Sequence, residues 1–264
     1  MSQRTGRRAE LGAFLRARRE QVVRSDHGLP PVGRGRTVGL RREEVSYLSG
    51  VSVTWYTWLE QGRDINPSAQ VVDAVARVLG LDDAGRRYVR SLAGLAPGTH
   101  LDAPVTDEMP AHVQHLLDAL GDNPAFALTP NWRIAGWNGA YERLYPNVAR
   151  VPAQERNLLR VVFTDPAVRE LLADWPETSQ RFLGEFRSET AARLADPELA
   201  AFVAQLRAES AEFRAGWARH DVRGFTSRER VFNHPEAGLV RYEHHQLRPS
   251  DAPGVQIVAY TPVS

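Results

Sequence analysis

Apolar residues in the first hundred positions recur at intervals of three and four, which is the period of an amphipathic helix. The pattern begins with Leu11, Phe14 and Leu15 and continues to about position 93. It predicts five helices: Arg8–Val23, two within Leu40–Gly62, one from Asn66 to Gly80, and one from Asp82 to Ala93. The stretch Ser25–Gly39 is rich in glycine and proline and predicts a loop. Five helices with short connections predict a compact all-α domain.

The segment Leu40–Gly62 predicts two short helices joined by a tight turn. Gly50 suits the left-handed backbone at the end of the first helix, and Ser52 is a good N-cap for the second. Tyr56 and Leu59 are three residues apart and predict a buried stripe. The opposite face is unusually large and apolar for a solvated one. Such a pair predicts a helix-turn-helix that enters the DNA major groove, and an ordinary helical hairpin is the alternative.

After position 120 the pattern changes from the period of helices to that of strands. A helix over Pro110–Leu120 is followed by strands Ala125–Thr129 and Trp132–Trp137, a helix from Asn138 to Tyr145, a mostly helical region over 151–220, and strands Arg230–Asn233, Leu239–Leu247 and Val255–Tyr260. This order predicts an α+β domain with a five-stranded antiparallel sheet and helices on one face. The predicted boundaries are 1–94 for the helical domain, 95–106 for a linker and 107–264 for the α+β domain.

Charge is distributed unevenly between the two predicted domains. Residues 1–100 carry 16 arginines and 10 acidic residues, a net charge of +6, whereas residues 101–264 have a net charge of −5. This asymmetry indicates that the first part alone meets a polyanion such as DNA. The candidate DNA contacts are Arg34, Arg36, Arg42, Ser52, Val53, Thr54, Trp55, Thr57, Trp58 and Arg63. For a single arginine in the loop, a solubilising charge is an equally good interpretation.

Two regions of the second part combine polar and aromatic side chains. In the strand Leu239–Leu247, Arg241 and Glu243 predict a solvated face, while Tyr242 and His244 lie on the opposite face. An inward histidine is more commonly a satisfied core residue than a ligand contact. In the second region, Ser210–Arg223, two aromatic residues precede a cluster of charged ones. That cluster could bind a carboxylate head group, although a structural ion-pair cluster that ties the helix to the sheet is the slightly favoured interpretation.

The predicted ligand pocket lies between the sheet and the helices of residues 150–220. Its candidate residues combine aromatic rings with a few polar groups, as small-molecule sites usually do. They are Phe126, Trp137, Phe163, Phe213, Trp217, Arg219, His220, Asp221, Arg223, Tyr242 and His244. A filled core without a cavity is the competing interpretation.

Composition and motifs give no support to catalytic or metal chemistry. The chain has no cysteine, which excludes disulfides, thiolate metal sites and cysteine nucleophiles. His112 and His115 are close in sequence, but no third metal ligand is evident nearby. Phosphate-binding glycine loops and hydrolase motifs are not found in the sequence. We therefore predict no catalytic residue, no metal and no cofactor.

Stretches in both halves of the chain together carry a family resemblance. They are Leu40–Val45, Gly50–Ser52, Leu59–Arg63, Pro67–Gln70, Ala125–Trp137, Asn157–Pro166, Glu212–Arg223 and Phe232–Pro235. The chain resembles the MmyB-like group of XRE-family transcriptional regulators over nearly its full length. The resemblance implies a helix-turn-helix followed by a PAS-like domain that binds a small, hydrophobic ligand. Relatives often have Asp and Arg where this chain has Thr54 and Trp58, which shifts the expected readout towards apolar contact with thymine methyl groups.

The sequence thus predicts a transcription regulator that binds DNA as a homodimer and senses a small hydrophobic or fatty-acid-like ligand. The alternative is a small-molecule carrier or an enzyme that uses the helical domain for protein contacts. The positive charge of residues 1–100 favours the regulator. We expect a cytoplasmic location without membrane contact, because the N-terminus lacks the apolar segment of a signal peptide and the chain has no apolar run long enough to cross a bilayer.

Overall fold

The computed structural model describes residues 3–30, 39–95, 109–252 and 254–263. The chain divides into two compact units. The first comprises Met1–Thr99, Arg187–Gln205 and Ala215–Gly224, and the second comprises His100–Phe186, Leu206–Arg214 and Phe225–Ser264. The domain boundaries predicted from sequence, at 94 and 107, stay a prediction.

Helices account for the N-terminal part of the first unit. They are α1 (Gln3–Gln21), α2 (Arg42–Ser49), α3 (Val53–Glu60), α4 (Ala69–Val78) and α5 (Asp83–Leu92). All five predicted helices are present, although α1 begins five residues earlier than expected. The predicted loop over Ser25–Gly39 was partly wrong, because a short 3-10 helix occupies Arg24–His27. Residues 31–38 of that loop lie outside the described residues.

The core of the first unit is formed by the apolar stripes that the helical period predicted. Phe14 and Tyr56 are fully buried, and the Phe14 ring packs edge-on against Tyr88 with 4.9 Å between centroids. Ala191 and Val222 belong to the same core. Gly12 allows α1 to pass close to α3, because a Cβ on this glycine would lie 2.4 Å from the carbonyl oxygen of Glu60. The first helix of the chain thus packs directly against the backbone of α3.

The remaining described chain contains seven more α-helices and five strands. The helices are α6 (Ala111–Ala119), α7 (Gly139–Leu144), α8 (Leu158–Thr164), α9 (Pro166–Leu171), α10 (Trp175–Thr190), α11 (Pro197–Glu209) and α12 (Ala211–Ala218). The strands are β1 (Ala125–Leu128), β2 (Ile134–Trp137), β3 (Arg228–His234), β4 (Gly238–Leu247) and β5 (Gln256–Pro262). A 3-10 helix follows α10 at Ala191–Arg193.

The five strands form one antiparallel sheet, as the sequence predicted, and the structure gives their order as β2-β1-β5-β4-β3. Strand alternation in β4 is also confirmed, since His244 is buried while Arg241 and Glu243 are exposed. The expectation of helices on one face was wrong. Helix α6 packs Val113 and Leu117 against the sheet face that carries the β1 alanines, opposite to the face of Phe126. The apolar stripe of α6 needed burial, and the small β1 side chains leave room for it.

Candidate DNA-binding surface and ligand cavity

The turn between α2 and α3 has the geometry that its sequence predicted. Gly50 ends α2 in the left-handed conformation with φ 70°. The Ser52 hydroxyl accepts a hydrogen bond from the backbone N–H of Trp55 at 3.2 Å and so caps α3. Val51 lies buried in the turn. These features set the start and the direction of α3.

Helix α3 has one buried face and one accessible face. Tyr56 is fully buried and Leu59 is 3% exposed. Ser52, Val53 and Thr54 are exposed, while Trp55, Thr57 and Trp58 are half-buried. The predicted helical phase is therefore correct for Tyr56 and Leu59, whereas Trp55, which was predicted to face the groove, packs partly against the core. Tyr47, on α2, is 86% exposed, and the sequence analysis made no prediction for it. A single sequence does not predict this exposure, because tyrosine occurs in protein cores as well as on protein surfaces.

A buried carboxylate links α1, α2 and α3. The side chain of Glu60 is 1% exposed and lies 2.5 Å from Nε of Arg19 and 2.7 Å from Nε of Arg42. Arg19 also donates from Nη1 to the carbonyl oxygen of Leu40 at 2.9 Å. Burial alone would raise the pKa of Glu60, but the hydrogen bonds from both arginines outweigh it and hold the pKa below its usual range. The three helices are therefore tied together through one ionised group.

The predicted arginine contacts have different surroundings. Arg34 and Arg36 lie outside the described residues. Arg42 is 39% exposed in its side chain and donates to Glu60, so it supports the fold as well as reaching solvent. Arg63 is exposed, and its guanidinium lies 5.9 Å from the ring centroid of Trp58. Arg63 and Trp58 are thus brought together at the end of α3.

The predicted charged cluster at the end of α12 belongs to the first unit. The Glu10 carboxylate forms an ion pair with Arg187 and accepts a hydrogen bond from the Tyr88 hydroxyl at 2.8 Å. It also lies 3.2 Å from Nδ1 of His220. Arg187 is fully buried and stacks under Trp217 at 3.9 Å. Asp221 accepts from Arg18 at 3.1 Å. The network is an ion-pair cluster, as one interpretation expected, but its partners lie on α1, α5 and α10 and not on the sheet, so that part of the expectation was wrong.

A small cavity of about 30 Å³ lies inside the second unit. Its walls are apolar side chains and three tyrosines from the sheet and from α7 to α10. They are Phe126, Tyr141, Leu144, Tyr145, Leu158, Val161, Val162, Val168, Leu171, Leu172, Phe182, Phe232 and Tyr260. This volume holds on the order of two water molecules, so a larger occupant requires the walls to move.

The predicted ligand-binding residues are divided by the structure. Phe126 lines the cavity. Phe163 and Phe213 pack edge-on at 5.2 Å, and Tyr242 lies 6.1 Å from the cavity residue Tyr260. The indole N–H of Trp137 donates a hydrogen bond to Glu142, and the His244 ring stacks on Tyr260 with 5.4 Å between centroids. The remaining predicted residues belong to the first unit and not to the unit that holds the cavity: Trp217, Arg219, His220, Asp221 and Arg223. The cavity residues of α7 to α10 were missed, because their apolar spacing is the same as that of any buried helix face.

The described residues contain no cluster of three or more histidine, cysteine, aspartate or glutamate residues that could hold a metal ion. Within the same residues, no helix has both the length and the hydropathy needed to cross a membrane. His112 lies 3.2 Å from Asp251, an exposed pair.

Comparison with known protein families assigns both parts of the chain. Residues 10–89 match a model described as a helix-turn-helix domain. Residues 109–264 match a model described as the MmyB-like transcription regulator ligand binding domain, which covers more than half of the chain. A search of curated proteins found no match. The buried and exposed faces of α3 and the five-stranded sheet agree with these two assignments, and the chain belongs to the MmyB-like family of helix-turn-helix transcription regulators.

Proposed function

We propose that this regulator binds its operator by placing the outer face of α3 in the DNA major groove. The observation that carries the proposal is the division of α3 into a buried face, Tyr56 and Leu59, and an accessible face that includes Thr54 and Trp58. A recognition helix needs this division, since one face packs on its own domain and the other contacts base edges. The positive charge of residues 1–100 adds attraction to the phosphate backbone.

Readout by this helix relies on apolar contact more than on bidentate hydrogen bonds. Thr54 and Trp58 offer a methyl group and an indole ring to the groove, and such groups contact the thymine C5-methyl. Arg63 beside Trp58, together with Arg34, Arg36 and Arg42, supplies phosphate contacts, which fix the register without reading sequence. We therefore expect an operator with thymines at the positions facing Trp58.

The ligand site proposed here is the apolar cavity of the second unit. Its aromatic and aliphatic walls suit a hydrophobic molecule, and a fatty-acid-like chain is the class we favour. A ligand larger than a few atoms selects a conformation in which the cavity is wider. It changes operator affinity to the extent that it binds one conformation better than the other. We further propose a cytoplasmic homodimer, because two copies of α3 would then read two half-sites one helical turn apart.

The experiment is selection of operator sequences from a random DNA library by the full-length protein, followed by affinity measurements. We expect an enriched sequence with two half-sites, and a Trp58→Ala variant that folds but no longer prefers it. Thr164→Ala, an exposed change on α8, serves as the control with unaltered preference. Binding without any enriched sequence, or equal preference in Trp58→Ala, would contradict the proposal.

A further inference from the structure

Two polar side chains in the first unit come from outside residues 10–89, the part of the chain that matches the helix-turn-helix model. They are Arg187, near the end of α10, and His220, just after α12. Arg187 is fully buried, and the side chain of His220 is 18% exposed. Both contact the carboxylate of Glu10 on α1. The unit that carries α3 is therefore completed by residues from a distant part of the sequence.

The guanidinium of Arg187 joins α1 to the end of α12. Its Nη1 pairs with the Glu10 carboxylate and lies 3.2 Å from Nδ1 of His220, while its Nη2 donates to the carbonyl oxygen of Trp217 at 2.6 Å. Burial alone would raise the pKa of Glu10, but the hydrogen bond from His220 and the charge of Arg187 outweigh it and hold the pKa below its usual range. Glu10 and Arg187 are thus fixed to each other, because each charge would be buried without compensation if the other moved away.

The backbone at His220 has an unusual conformation. Its φ is 53°, in the left-handed region that residues other than glycine rarely adopt. Arg18, on α1, donates from Nη2 to the carbonyl oxygen of His220 at 2.8 Å and to the carboxylate of Asp221 at 3.1 Å. Such a conformation persists only where the surrounding contacts over-determine it. Two positions of α1, Glu10 and Arg18, therefore bind the chain that follows α12.

Helix α1 is in turn packed against the backbone of α3. A Cβ on Gly12, two residues after Glu10, would lie 2.4 Å from the carbonyl oxygen of Glu60. Further along α1, Arg19 pairs with the buried carboxylate of the same Glu60. Close-packed elements transmit a displacement instead of absorbing it. A shift of α1 therefore moves α3 as well.

We infer that Arg187 and His220 are positioning residues for DNA binding, which hold α1, and through α1 the recognition helix α3, in the arrangement that fits the major groove. Both act through Glu10 and not through contact with DNA. The inference rests on the proposed operator binding by α3 and adds the residues that set its affinity. Helix α10 begins in the second unit and ends in the first. The Glu10–Arg187 pair is thus the point at which a movement of α10 changes operator affinity.

The test measures, for the full-length protein, both the Kd for the selected operator and the fraction of the protein that is able to bind it. A purely structural role of Arg187 lowers the active fraction and leaves its Kd unchanged, whereas a positioning role raises the Kd itself. For Arg187→Met we expect the Kd of the active fraction to rise about tenfold or more, on the order of the loss of one base contact. Binding to random DNA should change much less, because phosphate contacts do not read bases. Arg187→Lys, which keeps the charge but not the planar fork, should recover part of the operator affinity.

Two further variants separate the ring of His220 from its backbone and from a general loss of charge. His220→Gly removes the ring but keeps the left-handed backbone, which glycine adopts freely. It should raise the operator Kd by a smaller factor than Arg187→Met, because Glu10 loses one of its partners. Arg87→Met is the charge-matched control, since this exposed arginine of α5 lies in the same unit, and its loss should leave the operator Kd unchanged.

An operator Kd that stays unchanged in the active fraction of Arg187→Met overturns the inference and leaves the Glu10 ion pair a structural one. An unchanged Kd in His220→Gly alone overturns the role of His220. Should Arg187→Met fail to fold by circular dichroism, Arg187→Lys and His220→Gly carry the same comparison. Failure of the DNA-binding proposal is seen separately, because the unmodified protein would then show no preference for any operator.

Discussion

Glu60 and Arg230 are both buried charges, yet they differ in how completely they are paired. Glu60 accepts from two arginines in the first unit, so its charge is matched on both carboxylate oxygens. Arg230, in the second unit, leaves two guanidinium nitrogens without a hydrogen-bond partner among the described residues. A fully paired charge holds helices in place, whereas an incompletely paired cation retains part of the cost of its burial. The two buried charges thus differ in how much of their burial cost the surrounding residues offset.

The largest expected effect comes from breaking the saturated pair. Glu60→Gln leaves Arg19 buried without its counter-charge, and we expect a loss of about 3–5 kcal/mol in the free energy of unfolding. Urea denaturation followed by circular dichroism measures it. Glu43→Gln, an exposed change on α2, should alter stability by less than about 0.5 kcal/mol. A loss below about 1 kcal/mol in Glu60→Gln would mean that this carboxylate does not anchor the helices.

A second test separates the two faces of α3. Tyr56→Ala removes a fully buried ring and should cost roughly 3 kcal/mol or more of unfolding free energy. Trp58→Ala, on the accessible face, should cost less than about 1 kcal/mol but reduce discrimination between operators. Thermal melts and competition binding measure the two quantities. If the Trp58→Ala variant unfolds while the Tyr56→Ala variant stays folded, the assignment of the buried and accessible faces of α3 is reversed.

The buried histidine next to Arg230 predicts a pH dependence of stability. The pKa of His244 is lowered from 6.5 to about 2 in the folded protein, so below pH 6.5 the unfolded chain binds a proton that the folded chain does not. Stability therefore falls as the pH drops from 6.5 towards 2, by at most about 1.4 kcal/mol per pH unit. Glu60, whose folded pKa is lowered, loses its contribution only below about pH 4.5.

The window from pH 6.5 to 5 hence isolates His244 from Glu60. In this window His244→Gln should flatten the pH dependence of the unfolding free energy. His245→Gln, a partly exposed neighbour on the same strand, should leave the slope as in the unmodified protein. Equal slopes in all three proteins would show that His244 is protonated in the folded state.

The smallest effect is expected at the DNA surface, where charges are exposed. Arg63→Ala should weaken binding to all sequences alike and reduce the dependence of log K on log salt by about 0.9. Arg42→Ala should do the same and also lower stability, because Arg42 donates to Glu60. Arg207→Ala, an exposed arginine of the second unit, is the charge-matched control in salt titrations. If Arg63→Ala leaves the dependence of log K on log salt unchanged, Arg63 does not contact the DNA phosphates.

Sequence reasoning was most successful where local pattern decides structure. The helical period placed Tyr56 and Leu59 in the core, Gly50 and Ser52 predicted the turn, and alternation in β4 predicted the burial of His244. Each of these features depends on residues within about four positions of one another, so their physical causes are readable from the chain. The two-domain composition of the regulator followed from motifs of the same local kind.

Long-range packing decided the rest. The sequence could not say that Glu60 would meet Arg19, that Arg187 would meet Glu10, or that α6 would cover the second face of the sheet. It also offered the charges near Arg223 as a candidate head-group site beside the ion-pair interpretation, although these residues belong to the first unit and the cavity lies inside the second. Periodicity reports which face of an element is buried but not which partner it meets. Ion pairing and cavity shape depend on distances between residues far apart in sequence, and those distances exist only in the folded chain.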